Sequence, residues 1–147
     1  HQSSILQGYA KSPYKEPLQA KLKALYQTFP SLPLGQVLNK NLMFFLQELG
    51  LDKTKVVYSS DMGISGSKSE LVLNICQELG ATQYLSGPFG RDYLEVQNFQ
   101  KKGIDVIFHD YKHPVYEQGS DEFTAYLSVV DLLFNAGSKS LNILTGN

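Results

Sequence analysis

The 147-residue sequence contains no tryptophan, one cysteine, two methionines and three histidines. A single cysteine, Cys76, rules out an intrachain disulfide framework. Its setting among apolar helix-patterned residues marks it as a buried structural thiol, as expected in a reducing compartment. No stretch reaches the about 18 consecutive apolar residues of a membrane span. The N-terminus carries neither a signal peptide nor a lipidation motif. The expected location is therefore the cytoplasm. Too few histidines remain for a zinc site: His109 and His113 stand in His-x-x-x-His spacing with no Cys or Glu suitably placed, and the third histidine is His1. No metal and no cofactor are expected. There is no G-x-S-x-G elbow for a nucleophilic serine, and no basic stripe or recognition motif for nucleic acid.

With 42% hydrophobic and 18% charged residues, the chain suits one globular domain with a proper core. The net charge of −1 conceals an asymmetry: residues 1–47 hold five lysines and one glutamate (+4), and residues 48–147 hold eight Lys/Arg against thirteen Asp/Glu (−5). Lys11, Lys15, Lys21 and Lys23 read as a solvated face that could meet an anionic partner.

Ser12-Pro13 reads as a cap with proline at the first helical position. Leu18, Leu22, Leu25, Tyr26 and Phe29 follow at helical spacing until Pro30. A second helix is expected from Leu34 to Leu49, with Val37, Leu38, Leu42, Phe45, Leu46 and Leu49 as its apolar face and Gly50 as its stop. From residue 54 short strands at Val56–Tyr58, Tyr84–Leu85 and Ile104–Phe108 alternate with helices at Ser67–Leu79, Asp92–Lys101 and Phe123–Asn135. The expected fold is α/β: N-terminal helices (1–50), then a short parallel sheet built from βαβ units (54–147), within a single domain 1–147. Ligands in such sheets gather outside the strands' carboxyl ends, at the loops 59–68, 86–91 and 109–118.

The stretch Gly63-Ile64-Ser65-Gly66-Ser67-Lys68-Ser69-Glu70 comes near a Walker A loop but separates glycine from lysine by Ser67. It reads instead as a helix start, with Ser67 as N-cap and Glu70 as its capping-box partner, whose positive dipole end and Lys68 suit an anion. Ser59 and Ser60 stand at the head of the same loop. In the next loop, Ser86-Gly87-Pro88-Phe89-Gly90-Arg91-Asp92-Tyr93, the glycines admit close backbone approach, and Arg91 suits bidentate capture of a phosphate or carboxylate. His113, held extended by Pro114, is the favoured general base, with Asp110 or Asp131 to orient it. Tyr116 belongs to the same cluster. Asp131 intrudes into the apolar run Val129–Phe134, so it either faces solvent or has a partner such as Arg91 or a loop histidine; Ser128 and Asn135 share its helical face.

The ordered series Tyr84-Leu85-Ser86-Gly87-Pro88-x-Gly90-Arg91-Asp92-Tyr93-Leu94, Gly103-Ile104-x-Val106-x-Phe108, Asp110-Tyr111-x-His113-Pro114-Val115-Tyr116-x-Gln118 and Leu127–Asn135 resembles the WbqC-like family. Ser59-Ser60, Gly66-x-Lys68 and Tyr9-x-x-Ser12-Pro13-Tyr14 fit the same pattern. The resemblance implies a role in O-antigen-type surface polysaccharide biosynthesis: acyl or aminoacyl transfer to an amino sugar or similar amine. His113, Asp110 and Asp131 would serve as the catalytic group, and N–H groups near Gly87 would stabilise the oxyanion. Ser59, Ser60, Lys68, Ser86, Gly87, Pro88, Gly90, Arg91, Asp92, Tyr93, Tyr116 and Asn135 would contact substrate. The substrate is expected to be a small molecule or carrier-bound, with a protein partner also allowed for. The alternative is a non-catalytic domain that presents a nucleotide sugar or carrier protein to an enzyme. A nucleotide-hydrolysing or nucleotidyl-transfer enzyme, a third reading, would need Mg²⁺ and lacks a convincing Asp pair. Family members usually begin with a Gln-Pro-x-Tyr-x-Pro-Trp type motif. With that motif lacking here and His as the first residue, the chain is expected to be part of a longer protein. Ala125 and His109 also depart from the family pattern.

Overall fold

The computed structural model describes residues 2–120 and 122–146. The elements run α1 (Gln2–Gly8), α2 (Lys15–Gln27), α3 (Leu34–Glu48), α4 (Lys68–Glu78), β1 (Gln83–Ser86), α5 (Val96–Lys101), β2 (Asp105–Phe108), α6 (Val129–Ala136) and α7 (Ser140–Thr145). Short 3-10 turns occupy Ser59–Asp61, Pro88–Asp92 and Gly137–Lys139. The fold is mixed helix and sheet, as the periodicity predicts. The chain forms two compact units, one of residues 1–54 and 113–147, the other of residues 55–112. Among the described residues no helix is long and apolar enough to cross a membrane.

The first unit is helical. Leu18 and Leu22 of α2 bury against Leu133 and Phe134 of α6, and Ile5, Leu6, Tyr9, Phe44, Phe45 and Leu49 complete this core. Helix α2 begins at Lys15, two residues later than Ser12-Pro13 suggests, because the Ser12 hydroxyl donates to Asn135 Oδ1 (3.3 Å) rather than capping α2. Helix α3 matches its expected bounds, and its expected face packs in part: Phe45 and Leu49 join the core, whereas Leu38 and Leu42 do not. Phe44 and Phe45 pack inward while Leu34, Leu38 and Leu42 stand 72%, 59% and 46% exposed. Helix α6 starts at Val129 rather than Phe123, since Ser128 supplies the cap: its Oγ accepts from Val130 N at 3.2 Å.

The second unit carries the sheet. Strands β1 and β2 pair in parallel, Gln83 opposite Asp105 through Ser86 opposite Phe108, joined by α5 as a βαβ unit. The strand expected at Val56–Tyr58 does not form; Val57 and Tyr58 are exposed and unladdered, and the sheet has two strands. Helix α5 starts at Val96 rather than Asp92, which lies in the 3-10 turn. Cys76, Leu94, Phe99 and Ile104 form this unit's core, and burial pushes the Cys76 thiol above its ordinary pKa, away from the nucleophilic thiolate. Ser67 does stand at the N-cap of α4, but the Ser67–Glu70 capping box is absent: only the Ser67 carbonyl is engaged, accepting from Glu70 N (3.1 Å).

Candidate functional site

The first unit contains a cleft of about 570 Å³ lined by residues from three separated stretches of chain: 7–13, 118–120 and 124–135. Tyr9, Ser12, Gln118, Thr124, Asp131 and Asn135 give it its chemistry. Asp131, on the first turn of α6, is only 3% exposed. Its Oδ2 accepts from Tyr116 Oη (2.7 Å) and Gln118 Nε2 (3.2 Å), and its Oδ1 from Asn135 Nδ2 (3.1 Å), which also donates to the Asp131 carbonyl (3.0 Å). The sequence places Asn135 one helical turn beyond Asp131, and the bond between them follows from that spacing. A charged partner such as Arg91 or a loop histidine is not what Asp131 has. Among the described residues every donor to its carboxylate is neutral.

Tyr9 completes the group. Its ring lies flat on Phe134, with centroids 4.7 Å apart and planes 6° from parallel, which fixes its direction. Burial, then the hydrogen bond to Asp131 and the nearby Asp131 charge, raise its hydroxyl from the ordinary value of 10.0 to about 12. Folding therefore favours the protonated phenol. The stability this contributes is complete below pH about 10, where the unfolded tyrosine still holds its proton, and is lost as pH rises towards about 12. A Tyr9→Phe variant should lack this alkaline decline, so the wild-type and variant urea midpoints should converge between pH 10 and 12. A constant gap across that range would show that the phenol does not titrate with folding.

Gln118 is held in turn. Its Nε2 also donates to the Thr124 carbonyl and its Oε1 accepts from Thr124 N, both at 2.8 Å, clamping the segment before α6 to the cleft. His113, also in the first unit, is not among the cleft's lining residues. Its Nδ1 donates to the Pro114 carbonyl (2.8 Å), so that nitrogen carries the hydrogen, and its ring sits among Tyr116, Phe123 and Tyr126. Of the residues singled out from sequence, Asp131, Tyr116 and Asn135 come together. Tyr9, Ser12 and Gln118 were not among the candidates, although each stands in one of the short motifs quoted for the resemblance.

The remaining candidates belong to the second unit. Ser59 and Ser60 lie in an exposed 3-10 turn where the Ser60 hydroxyl donates to Asp61 Oδ1 (3.1 Å). Lys68 opens α4, exposed and with φ +49, an uncommon conformation for a residue other than glycine. Ser86, at the end of β1, is buried, and Gly90 packs so closely on the Ser86 and Leu94 side chains that a Cβ there would overlap them. The glycine is thus required by packing. Gly87 and Pro88 lead into the turn containing Arg91 and Asp92, and Tyr93 follows it. The Arg91 guanidinium lies 4.6 Å above the Phe108 ring, and among the described residues no carboxylate pairs with it. Asp110 is exposed beyond β2. Among the described residues no group of histidine, cysteine and carboxylate side chains is arranged to hold a metal ion.

Comparison with known proteins adds three findings. The chain is 35% identical over 92 residues to the uncharacterized protein Rv1507c of Mycobacterium tuberculosis, a match covering 62% of this chain and 40% of that protein's length. No solved structure matches. The description "WbqC-like protein family" matches residues 1–143. With nearly the whole chain matched, the chain belongs to the WbqC-like protein family.

Proposed function

We propose that this chain serves surface polysaccharide biosynthesis by transferring an acyl or aminoacyl group to an amino sugar or similar amine, and that the cleft of the first unit seats the amine. The observation that supports this most is Asp131: a carboxylate 3% exposed, on a cleft wall, whose donors among the described residues are all neutral. The donors given to this carboxylate are one phenol and two side-chain amides, none of them a cation. An ammonium ligand would supply the opposite charge there at greater advantage than in water. Tyr9 and Tyr116 extend this character, because a hydroxyl that donates to a carboxylate becomes a better acceptor for the ligand's own N–H groups. Lys11, on the same lining, suits an anionic part of the ligand such as a phosphate.

The test is thermal stabilisation by UDP-, GDP- and dTDP-linked amino sugars compared with their hydroxyl parents. A ligand that binds only the folded chain raises the midpoint with its concentration. The amino forms should stabilise the wild type more than the parents, and Asp131→Asn should abolish that difference. Equal stabilisation by both forms would mean that Asp131 does not read the amine.

A second reading is favoured by a different observation. The exposed Leu34, Leu38 and Leu42 follow each other at four-residue spacing and form one apolar stripe on α3, which suits a domain that presents its ligand to a partner protein. Of the lysines expected to form a docking face, Lys21 is already paired with Glu48 at 2.8 Å. Loss of partner capture on Leu38→Glu, with ligand stabilisation intact, would favour presentation over catalysis.

A further inference from the structure

Tyr126 combines two features that seldom occur together. Its φ is +61, a conformation that is uncommon and strained for a residue other than glycine. Its side chain is also 73% exposed, so packing does little to offset that strain. The ring meets the His113 imidazole edge-on at 5.1 Å. His113 in turn lies 5.9 Å from Phe123 and 6.0 Å from Tyr116, and Tyr116 meets Phe123 edge-to-face at 5.8 Å. The hydrogen bond from Nδ1 to the Pro114 carbonyl holds the imidazole about which the other rings gather.

This cluster is continuous with the cleft through two links. Tyr116 has its ring in the cluster and its hydroxyl on Asp131. Thr124 and Leu127, the chain neighbours of Phe123 and Tyr126, line the cleft, and the Gln118 clamp fixes Thr124 there. A ligand anchored at Asp131 thus has an exposed aromatic surface next to it.

We propose that the His113–Tyr116–Phe123–Tyr126 cluster is a stacking platform for the pyranose ring of the cleft's ligand, with Tyr126 as its outer face. A pyranose presents weakly positive C–H groups from one face, which suit the negative face of an aromatic ring. Stacking buries that apolar face and leaves the hydroxyls at the rim in water or on polar neighbours. Polar groups lie beside the rings: the Tyr116 hydroxyl on Asp131 and the Thr124 backbone held by Gln118. The proposal rests on the amino-sugar reading above and names the part of the ligand that the cleft alone leaves outside.

Saturation-transfer NMR on the intact chain tests it, with the methyl β-glycosides of glucose, glucosamine and N-acetylglucosamine as probes. Tyr126→Phe keeps the ring and should bind as the wild type does. Tyr126→Gly removes the ring and suits the positive φ, so its thermal midpoint should hold or rise while glycoside affinity falls about tenfold. Unchanged affinity in Tyr126→Gly would overturn the platform, as would the absence of transfer from the wild type to all three glycosides. The amine reading fails independently: if Asp131→Asn leaves glucosamine and glucose glycosides bound alike, as in the wild type, while Tyr126→Gly loses both, the platform stands and the role of Asp131 falls.

Discussion

Replacing Asp131 with alanine is expected to cost about 3 kcal/mol of folding stability, read as a lower urea midpoint at unchanged slope. Two effects compete. Removing the carboxylate relieves the cost of burying a charge, and that relief can be large. Against it, alanine leaves Tyr116 Oη, Gln118 Nε2 and Asn135 Nδ2 without their shared acceptor in a region where the parent residue is 3% exposed. Each donor left unsatisfied costs about 1–3 kcal/mol. Gln118 and Asn135 keep second acceptors, the Thr124 and Asp131 carbonyls, and the cleft admits water, so the net falls well below three full penalties. The balance still favours the carboxylate, because Tyr116, Gln118 and Asn135 converge on it together with the Tyr9 hydroxyl. Asp131→Asn keeps the volume and one oxygen and should lose about half as much. A loss under about 1 kcal/mol for the alanine variant would mean that cleft water already serves these donors and that Asp131 is retained for a ligand alone.

The oddity of Asp131 was legible in the sequence, where a lone carboxylate in an apolar run demands a partner. The identity of that partner was not. Periodicity links residues three or four apart, so it points to Asn135, but it carries no information on Tyr116 or Gln118, which reach Asp131 from a loop. The same limit explains Ser12. Its sequence neighbourhood is that of a helix cap, and a bond to Asn135, 123 positions away, takes it instead. Where local chemistry decides, the reading held: Gly50 and Gly80, with φ of +75 and +63, stand where α3 and α4 stop. Where pairing decides, it did not. Val56–Tyr58 has strand-forming composition, yet β propensity reflects the fit to neighbouring strands, and there is none beside it. The α3 stripe is a related case: apolar residues lie on both sides of that helix, so the pattern could not tell the packed side from the exposed one.

Gly137→Ala is expected to destabilise the first unit by roughly 3–5 kcal/mol. Gly137 caps α6 with φ +54 and ψ −125, a backbone conformation open to glycine and to almost nothing else. An alanine Cβ would also overlap the Tyr14 ring, coming within 2.6 Å of its Cγ and Cε1. The ring has little freedom to withdraw, because Tyr14 N donates to the Phe134 carbonyl (3.2 Å), tying the start of α2 to α6. Gly146 separates the two costs. It has φ +71 in the left-handed region with open space around its Cβ position, so Gly146→Ala should lose only about 1 kcal/mol. The excess at Gly137 combines the clash with a backbone region less open to alanine than that of Gly146, and the clash part should disappear when Tyr14→Ala is combined with Gly137→Ala. Additive losses in that double variant would mean that backbone strain alone sets the effect. The consequence reaches the cleft, because a displaced Tyr14 carries Ser12 and Pro13 with it, and through Ser12 the Asn135 side chain that orders Asp131.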